Sequence, residues 1–191
     1  MGGGLGKLDH TVQLVLLGLD SAGKTSVLYH LKFDKFSCTV PTVGFNCEKI
    51  KAKSGKAKGT NFTIWDIGGQ DKTRPLWKSY LRSADGMVFV VDSVDTERME
   101  EARMELLKLV KSPDYGGLPL LVVANKQDLP RASSPEEIEK MLTLTDLSPG
   151  QLYHIQPACA ITGEGLPECV DIMYDLIIKR RKTKSSKKKI K

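Results

Sequence analysis

A glycine-rich loop with the sequence GLDSAGKT, at residues 18–25, decides how this chain folds. The apolar run VQLVLL at 12–17 precedes it, and a stretch compatible with a helix follows it. In such a loop, successive backbone N–H groups converge on a phosphate chain at the N-terminus of the helix. Lys24 can then reach between the β- and γ-phosphates, and the Thr25 hydroxyl can bind Mg²⁺. The flanking strand and helix favour a phosphate-binding loop over a chance glycine-rich turn.

The length and composition indicate one globular domain. With 191 residues, of which 40% are hydrophobic, the chain can bury a single core without disulfides or a structural metal. Its four cysteines contain no C-x-x-C pair and its three histidines lie apart from them, which argues against a zinc site and predicts reduced thiols. No apolar run approaches the roughly 18 residues of a membrane span, and we expect no secretory signal.

Basic residues are concentrated at one end of the chain. Nine of the 29 lysines and arginines fall within residues 179–191, which contain no acidic residue, and the other 20 stand against 23 acidic residues. The body of the chain is therefore mildly acidic and the tail is strongly basic. We predict a flexible N-terminal segment at 1–10, a domain at 11–180 and a polybasic tail at 181–191.

Apolar runs rich in β-branched residues alternate with stretches of helical periodicity. The pattern predicts strands near 11–17, 44–52, 60–66, 86–92, 118–124 and 152–158, and helices near 23–33, 73–83, 96–111, 135–144 and 166–180. This alternation is typical of an α/β fold, a mostly parallel six-stranded sheet with helices on both faces. The basic segment at 51–60 interrupts the alternation, and we interpret it as a solvated hairpin tip.

Three polar segments follow predicted strands at the edge where a phosphate loop would lie. The segment DIGGQ at 66–70 places Asp66 where it can hold Mg²⁺ through water, a glycine amide where it can meet the γ-phosphate, and Gln70 where it can orient water. The segment NKQD at 125–128 ends in a carboxylate that can accept both N–H groups of guanine, which selects GTP over ATP. After Cys159, the Ala160 N–H could meet guanine O6.

These motifs resemble the Arf and Arf-like branch of the Ras-type small GTPases over about residues 11–180. The resemblance rests on GLDSAGKT at 18–25, PTVGFN at 41–46, WDIGGQDK at 65–72, RPLW at 74–77 and NKQD at 125–128. The long hairpin and the basic C-terminus are most similar to the fourth Arf-like subgroup. The resemblance implies the P-loop NTPase fold of small GTPases, Mg²⁺ and GTP or GDP as cofactors, and partners that exchange nucleotide, activate hydrolysis or act as effectors.

The same resemblance assigns roles to individual residues. Thr42 becomes the switch I threonine that binds Mg²⁺, residues 66–82 become switch II, and Phe45, Trp65 and Tyr80 form an aromatic triad facing effectors. Catalysis is assigned to Gln70, Lys24 and Thr42, and the metal to Thr25, Thr42 and, through water, Asp66. The residues assigned to the nucleotide are Gly18, Leu19, Asp20, Ser21, Ala22, Gly23, Lys24, Thr25, Ser26, Thr42, Asp66, Gly69, Asn125, Lys126, Asp128, Cys159 and Ala160. No motif places an arginine finger, so we expect slow turnover without an activating protein.

The termini suggest how such a protein reaches a membrane. Gly2 permits N-myristoylation, although residue 6 is Gly6 where the consensus has Ser or Thr, and the glycines at 2–10 disfavour an amphipathic helix. An acyl chain and the basic tail together would supply two membrane signals, placing the protein on the cytoplasmic face of a membrane. The tail could instead engage a nuclear import receptor, giving a nuclear pool. It lacks aromatic residues for base stacking, so we expect no specific nucleic acid.

Besides the use of the tail as a nuclear-import or nucleic-acid-binding element, three functional hypotheses remain open at this point. The first is a GTP-hydrolysing switch that recruits effectors to membranes in traffic, cytoskeletal or signalling control. The second is a GTP-dependent recruitment module whose hydrolysis in the cell is negligible. A phosphate-transferring kinase is the least supported, because Asp128 would have no role in it.

Overall fold

The computed structural model describes residues 10–189, with side chains described as far as residue 186. Six strands form one sheet in the order β2-β3-β1-β4-β5-β6. Their bounds are Val12–Leu17 (β1), Phe45–Lys51 (β2), Asn61–Ile67 (β3), Gly86–Asp92 (β4), Leu120–Asn125 (β5) and Tyr153–Pro157 (β6). Strand β2 is antiparallel to β3, and the other neighbouring strands are parallel. The predicted α/β sheet is confirmed.

Helices cover both faces of this sheet. They are Lys24–Phe33 (α1), Trp77–Leu81 (α2), Met99–Val110 (α3), Pro135–Met141 (α4) and Leu166–Lys189 (α5). The side chains of alternate β1 residues pack in two different cores, because successive side chains of a strand point to opposite faces of the sheet. Leu14 and Leu16 pack with α1 and α5, whereas Val15 and Leu17 pack with α2, α3 and α4. The phosphate loop thus follows a strand that packs against helices on both faces of the sheet.

The end of α5 differs from our prediction. The helix continues to Lys189 instead of ending at 180, so most of the predicted tail at 181–191 is helical. Lysine and arginine are good helix formers, and no glycine or proline interrupts residues 168–189. The hydroxyls of Thr183, Ser185 and Ser186 donate to backbone carbonyls one turn earlier, which satisfies them within the helix.

The basic hairpin tip also differs from our prediction, because it packs on α5 and is not simply solvated. Ala57 is fully buried, and its N–H donates to Asp171 Oδ1 at 2.9 Å. The Lys56 ammonium lies 2.7 Å from Asp175 Oδ2 on the same helix. The loop that joins β2 to β3 is therefore attached to the opposite end of the chain.

Candidate nucleotide-binding site

The carboxyl ends of the parallel strands open into a cavity of about 390 Å³. Twelve of the residues assigned to the nucleotide line it: Asp20, Ser21, Gly23, Lys24, Thr25, Ser26, Thr42, Gly69, Asn125, Lys126, Asp128 and Ala160, together with the catalytic candidate Gln70. Five others are buried behind its walls, namely Gly18, Leu19, Ala22, Asp66 and Cys159. Leu19 and Ala22 place their side chains in the two cores. These two residues shape the loop, and any contact with a nucleotide comes from their backbone.

The buried Lys24 side chain closes the phosphate loop on itself. Its Nζ donates to Leu19 O at 2.9 Å, and the Ala22 N–H donates to the same carbonyl at 3.4 Å. Burial lowers the pKa of Lys24 to about 8, while the Asp66 and Asp20 carboxylates act in the opposite direction. An ammonium with so little solvation is well suited to interact with a phosphate anion that enters the loop.

Three oxygen-bearing side chains meet at the inner end of the cavity. The Thr25 hydroxyl donates to Asp66 Oδ2 at 2.5 Å and lies 2.9 Å from the Thr42 hydroxyl, which is itself 3.5 Å from Asp66 Oδ2. Asp66 is completely buried, and its second oxygen, Oδ1, has no hydrogen-bond partner within residues 10–189. Burial raises the pKa of Asp66, opposed by its bonds to both threonines and by Lys24.

This donor set fits Mg²⁺. Magnesium prefers hard oxygen ligands and keeps several waters, so two hydroxyls with a carboxylate behind them match its requirements. The unpaired Asp66 oxygen is a buried acceptor that a metal-bound water would satisfy. Thr25 and Thr42 are the residues that would hold the ion, with Asp66 acting through water.

The segment after β3 rests directly on the phosphate loop. A Cβ atom on Gly69 would fall 2.4 Å from Gly18 O and from Asp20 N, so only glycine fits at this position. The Gly68 carbonyl accepts from Trp77 Nε1 at 3.0 Å, and the Gly68 N–H donates to Gly44 O at 2.9 Å. Gln70, which follows, is exposed and lines the cavity.

The opposite end of the cavity is built from the loops after β5 and β6. Asn125 braces the site: its Nδ2 donates to Ala22 O at 2.9 Å, and its Oδ1 accepts from the Ala160 N–H at 3.0 Å. To contact guanine O6 as predicted, the Ala160 N–H must therefore share its hydrogen between Asn125 Oδ1 and the base, or give up its bond to Asn125. Asp128 Oδ1 accepts from the Cys159 thiol at 3.3 Å. Lys126 donates to Ser21 O at 2.9 Å.

Sequence reasoning missed several residues around this cavity. Arg98 donates from Nη2 to Asp20 Oδ1 at 2.8 Å, and His30 Nδ1 lies 2.8 Å from Ala160 O. The available signal for Arg98 was its spacing from Glu101, three residues later at the start of a helix. Further lining residues belong to none of the quoted motifs, namely Phe36, Thr39, Val40, Leu129 and Ile161, whereas the lining residue Pro41 begins the segment PTVGFN.

The three aromatic residues assigned to effectors do come together. The ring centroids of Phe45, Trp65 and Tyr80 lie 5.6–5.7 Å apart in all three pairs. Phe45 is about half exposed, while Trp65 Nε1 donates to Gln13 Oε1 at 3.1 Å. The triad joins β2, β3 and α2, so its shape depends on how the two switches are placed relative to each other.

Comparison with known proteins agrees with this geometry. Residues 3–177 match the model of the ADP-ribosylation factor (Arf) family. The chain belongs to the Arf family. Human ADP-ribosylation factor-like protein 4C is 59% identical over 179 residues, which cover 94% of this chain and 93% of that protein. Human ADP-ribosylation factor-like protein 4A is 56% identical, covering 92% and 88%, and human protein 4D is 49% identical, covering 93% and 89%.

A solved structure of the family is also similar. The Arl6 BBS3 small GTPase from Trypanosoma brucei with bound nucleotide analogue GppNp aligns with a TM-score of 0.78 and 30% identity, covering 90% of this chain and 99% of that one. Membership of the Arf family makes this protein a small GTPase, a switch that binds GTP and GDP and hydrolyses GTP. The predicted resemblance to the Arf-like branch is thereby confirmed.

Proposed function

We propose that this Arf-family protein recruits effectors to an anionic membrane surface when it holds GTP and Mg²⁺. One observation carries the proposal: the Thr42 hydroxyl, from switch I, lies 2.9 Å from the Thr25 hydroxyl of the phosphate loop. Switch I thus reaches the phosphate loop through Thr42, switch II lines the same cavity with Gly69 and Gln70, and the aromatic triad is assembled beside them. A site of this form links the presence of the γ-phosphate to the shape of the effector surface.

The chemistry of the site is positioning and electrostatics. The loop amides and Lys24 bind the phosphates, Thr25 and Thr42 hold the metal, and Gln70 orients the attacking water. When bound, Mg²⁺ neutralises charge on the phosphate oxygens. After hydrolysis, Thr42 and Gly69 lose their partner on the γ-phosphate, and the two switch segments are free to relax.

Turnover depends on a partner in this proposal. Arg74 and Arg98 approach the phosphate loop, but both guanidinium groups are paired with carboxylates, Arg74 with Glu101 at 2.8 Å and Arg98 with Asp20 at 2.8 Å. An activating protein that inserts its own arginine would raise the rate by roughly 10³- to 10⁵-fold. The GTP form then persists until such a partner arrives.

The ends of the chain supply the membrane contact. Gly2 lies outside the described residues, but His10 Nε2 lies 2.6 Å from Arg181 Nη2, and Asp85 accepts from the same arginine at 3.2 Å. The first described residue, His10, thus lies against the start of the basic segment of α5, and an acyl chain on Gly2 would add a second membrane signal. One acyl chain gives only marginal binding, and nearby lysines or arginines add about 1 kcal/mol each near an anionic leaflet. No helix within residues 10–189 is long and apolar enough to cross a membrane.

Co-sedimentation with vesicles tests the proposal. We expect the acylated full chain, loaded with a GTP analogue, to bind anionic vesicles, to bind less as salt rises, and to bind far less when truncated after Lys179. Capture of effectors from the vesicle-bound protein should require the GTP analogue. Unchanged binding after truncation would remove the basic segment from the membrane role, and a nuclear pool lost on the same truncation would assign it to an import receptor.

A further inference from the structure

Two arginines outside the cavity meet the carboxylate of the phosphate-loop residue Asp20. Arg98 Nη2 donates to Asp20 Oδ1 at 2.8 Å, and Arg74 Nη2 lies 3.6 Å from the same oxygen. Glu101 on α3 bridges the arginines, because it accepts from Arg98 Nε at 2.9 Å and from Arg74 Nη2 at 2.8 Å. One network therefore joins the phosphate loop, switch II and α3.

Arg74 is the buried member of this network. Its side chain is only 9% exposed, and its Nη1 also lies 2.9 Å from Asp71 Oδ1. The remaining donor, Nε, reaches the backbone and donates to Gly69 O at 2.8 Å. A planar guanidinium with several fixed donors is suited to hold one carbonyl and several carboxylates at once.

The backbone that Arg74 holds is the part of switch II nearest the phosphates. The hydrogen bond to Gly69 O fixes the peptide that joins Gly69 to Gln70, and Trp77 Nε1, by donating to Gly68 O at 3.0 Å, fixes the preceding peptide. The two donors thereby set the direction of the Gly69 N–H and the point from which the Gln70 side chain leaves the backbone. Because Gly69 also packs against Gly18 and Asp20, a small shift here moves both groups relative to the phosphates.

We propose that Arg74 and Arg98 are positioning residues for GTP hydrolysis. Arg98 orients Glu101 and neutralises Asp20, Glu101 and Asp20 orient Arg74, and Arg74 holds Gly69 and Gln70 against the phosphate loop. This inference rests on the proposed role of Gln70. It assigns to Arg98, which lies outside every sequence motif of the site, an effect on turnover that is transmitted through α3.

Single-turnover hydrolysis by the GTP-loaded full chain tests the inference. Arg74→Gln and Arg98→Gln should each slow hydrolysis by about 10- to 100-fold, the range expected when a catalytic group is misplaced, while GTP affinity changes by less than about 3-fold. The double variant should be no slower than Arg74→Gln, since Arg98 acts through Arg74. The matched control is Arg103→Gln, which breaks an Arg–Glu pair of the same i,i+3 spacing on the exposed side of α3 and should leave the rate unchanged.

Two further measurements separate positioning from a general structural role. In a Gln70→Leu background, Arg98→Gln should cause no additional loss of rate. The second measurement uses a Trp65→Phe background, in which Trp77 is the remaining tryptophan. GTP loading should change the fluorescence emission of Trp77 in this background. The change should be smaller when Arg74→Gln is added. The inference is overturned if either arginine variant hydrolyses GTP at the parent rate, or if the loss caused by Arg98→Gln persists undiminished with Gln70→Leu. If Gln70→Leu alone hydrolyses normally, the proposed role of Gln70 fails as well.

Discussion

The hydroxyl oxygens of Thr25 and Thr42 lie 2.9 Å apart, although the two residues are 17 positions apart in the chain. One belongs to the helix that follows the phosphate loop, and the other belongs to an irregular segment that precedes the edge strand β2. No strand pairing holds Thr42 in place within the described residues, so its position depends on the polar groups that it meets. A metal ion bound to both hydroxyls would therefore decide whether switch I stays closed.

Replacing Thr25 tests this dependence. We expect Thr25→Asn to lose Mg²⁺ binding and to weaken GTP more than GDP, because GTP depends on the metal contact that both threonines share. Thr25→Ser retains the hydroxyl and should retain most of the Mg²⁺ dependence. The measurement is the dissociation rate of fluorescent GTP and GDP analogues with and without Mg²⁺. Equal Mg²⁺ dependence in Thr25→Asn and the parent would contradict the assignment.

Our second prediction concerns the recognition of the guanine base by Asp128. Asp128→Asn replaces a double acceptor with an amide, which must present a donor to one guanine N–H, whereas xanthine offers an oxygen that the amide can use. Loss of hydrogen bonds to a charged group should lower GTP affinity by about 3 kcal/mol, roughly a hundredfold, and xanthosine triphosphate affinity should rise. Asp146→Asn, at an exposed acid in the turn before β6, serves as the control. An unchanged preference for GTP in direct competition would show that another group recognises guanine.

The buried thiol of Cys169 gives a prediction that depends on pH. Burial raises the pKa of Cys169 to about 12, from an ordinary value near 9.0. The folded-state pKa lies above the unfolded-state value. The contribution of the neutral thiol to the free energy of unfolding is therefore fully present below about pH 9, and it is lost as the pH rises toward 12. At pH 8 an alkylating agent should label exposed Cys38 quickly and Cys169 only after unfolding, as peptide mass spectrometry would show. Rapid labelling of Cys169 in the folded protein would mean that α5 is not packed as described.

The nucleotide end of the fold could be predicted from the sequence because local chemistry fixes it. Glycines at a strand end, the acid after β3 and the polar segment after β5 each lie where a parallel sheet brings strand ends together. The contact between Arg98 and Asp20 could not be predicted, because it spans 78 residues and depends on how α3 packs. The end of α5 was mispredicted for a different reason. A dense run of positive charge indicates a solvated tail, yet its residues also have high helix propensity and the packed part of α5 nucleates the helix.

The contact between the hairpin tip and α5 gives our last prediction. Gly55 has φ near 68°, and a Cβ atom there would come within 1.8 Å of Asp171 Oδ2, so Gly55→Ala adds both backbone strain and a clash. Asp171→Ala would leave the buried Ala57 N–H without its acceptor. We expect each variant to lower the free energy of unfolding by about 1–3 kcal/mol in urea titrations and to speed hydrogen exchange across residues 52–60.

Asp175→Asn is the matched control for this contact. It breaks the exposed pair with Lys56, and solvent-exposed ion pairs of this kind contribute little to the free energy of unfolding. The hairpin joins β2 and β3, which carry Phe45 and Trp65. Its attachment to α5 should therefore also stabilise the arrangement of the aromatic triad. We therefore expect Gly55→Ala, and not Asp175→Asn, to weaken effector binding by the GTP-loaded protein while GTP affinity is retained. If Gly55→Ala leaves both the stability and the exchange rates of the parent intact, the tip is not held by α5 in solution, and our original interpretation of a solvated hairpin would be restored.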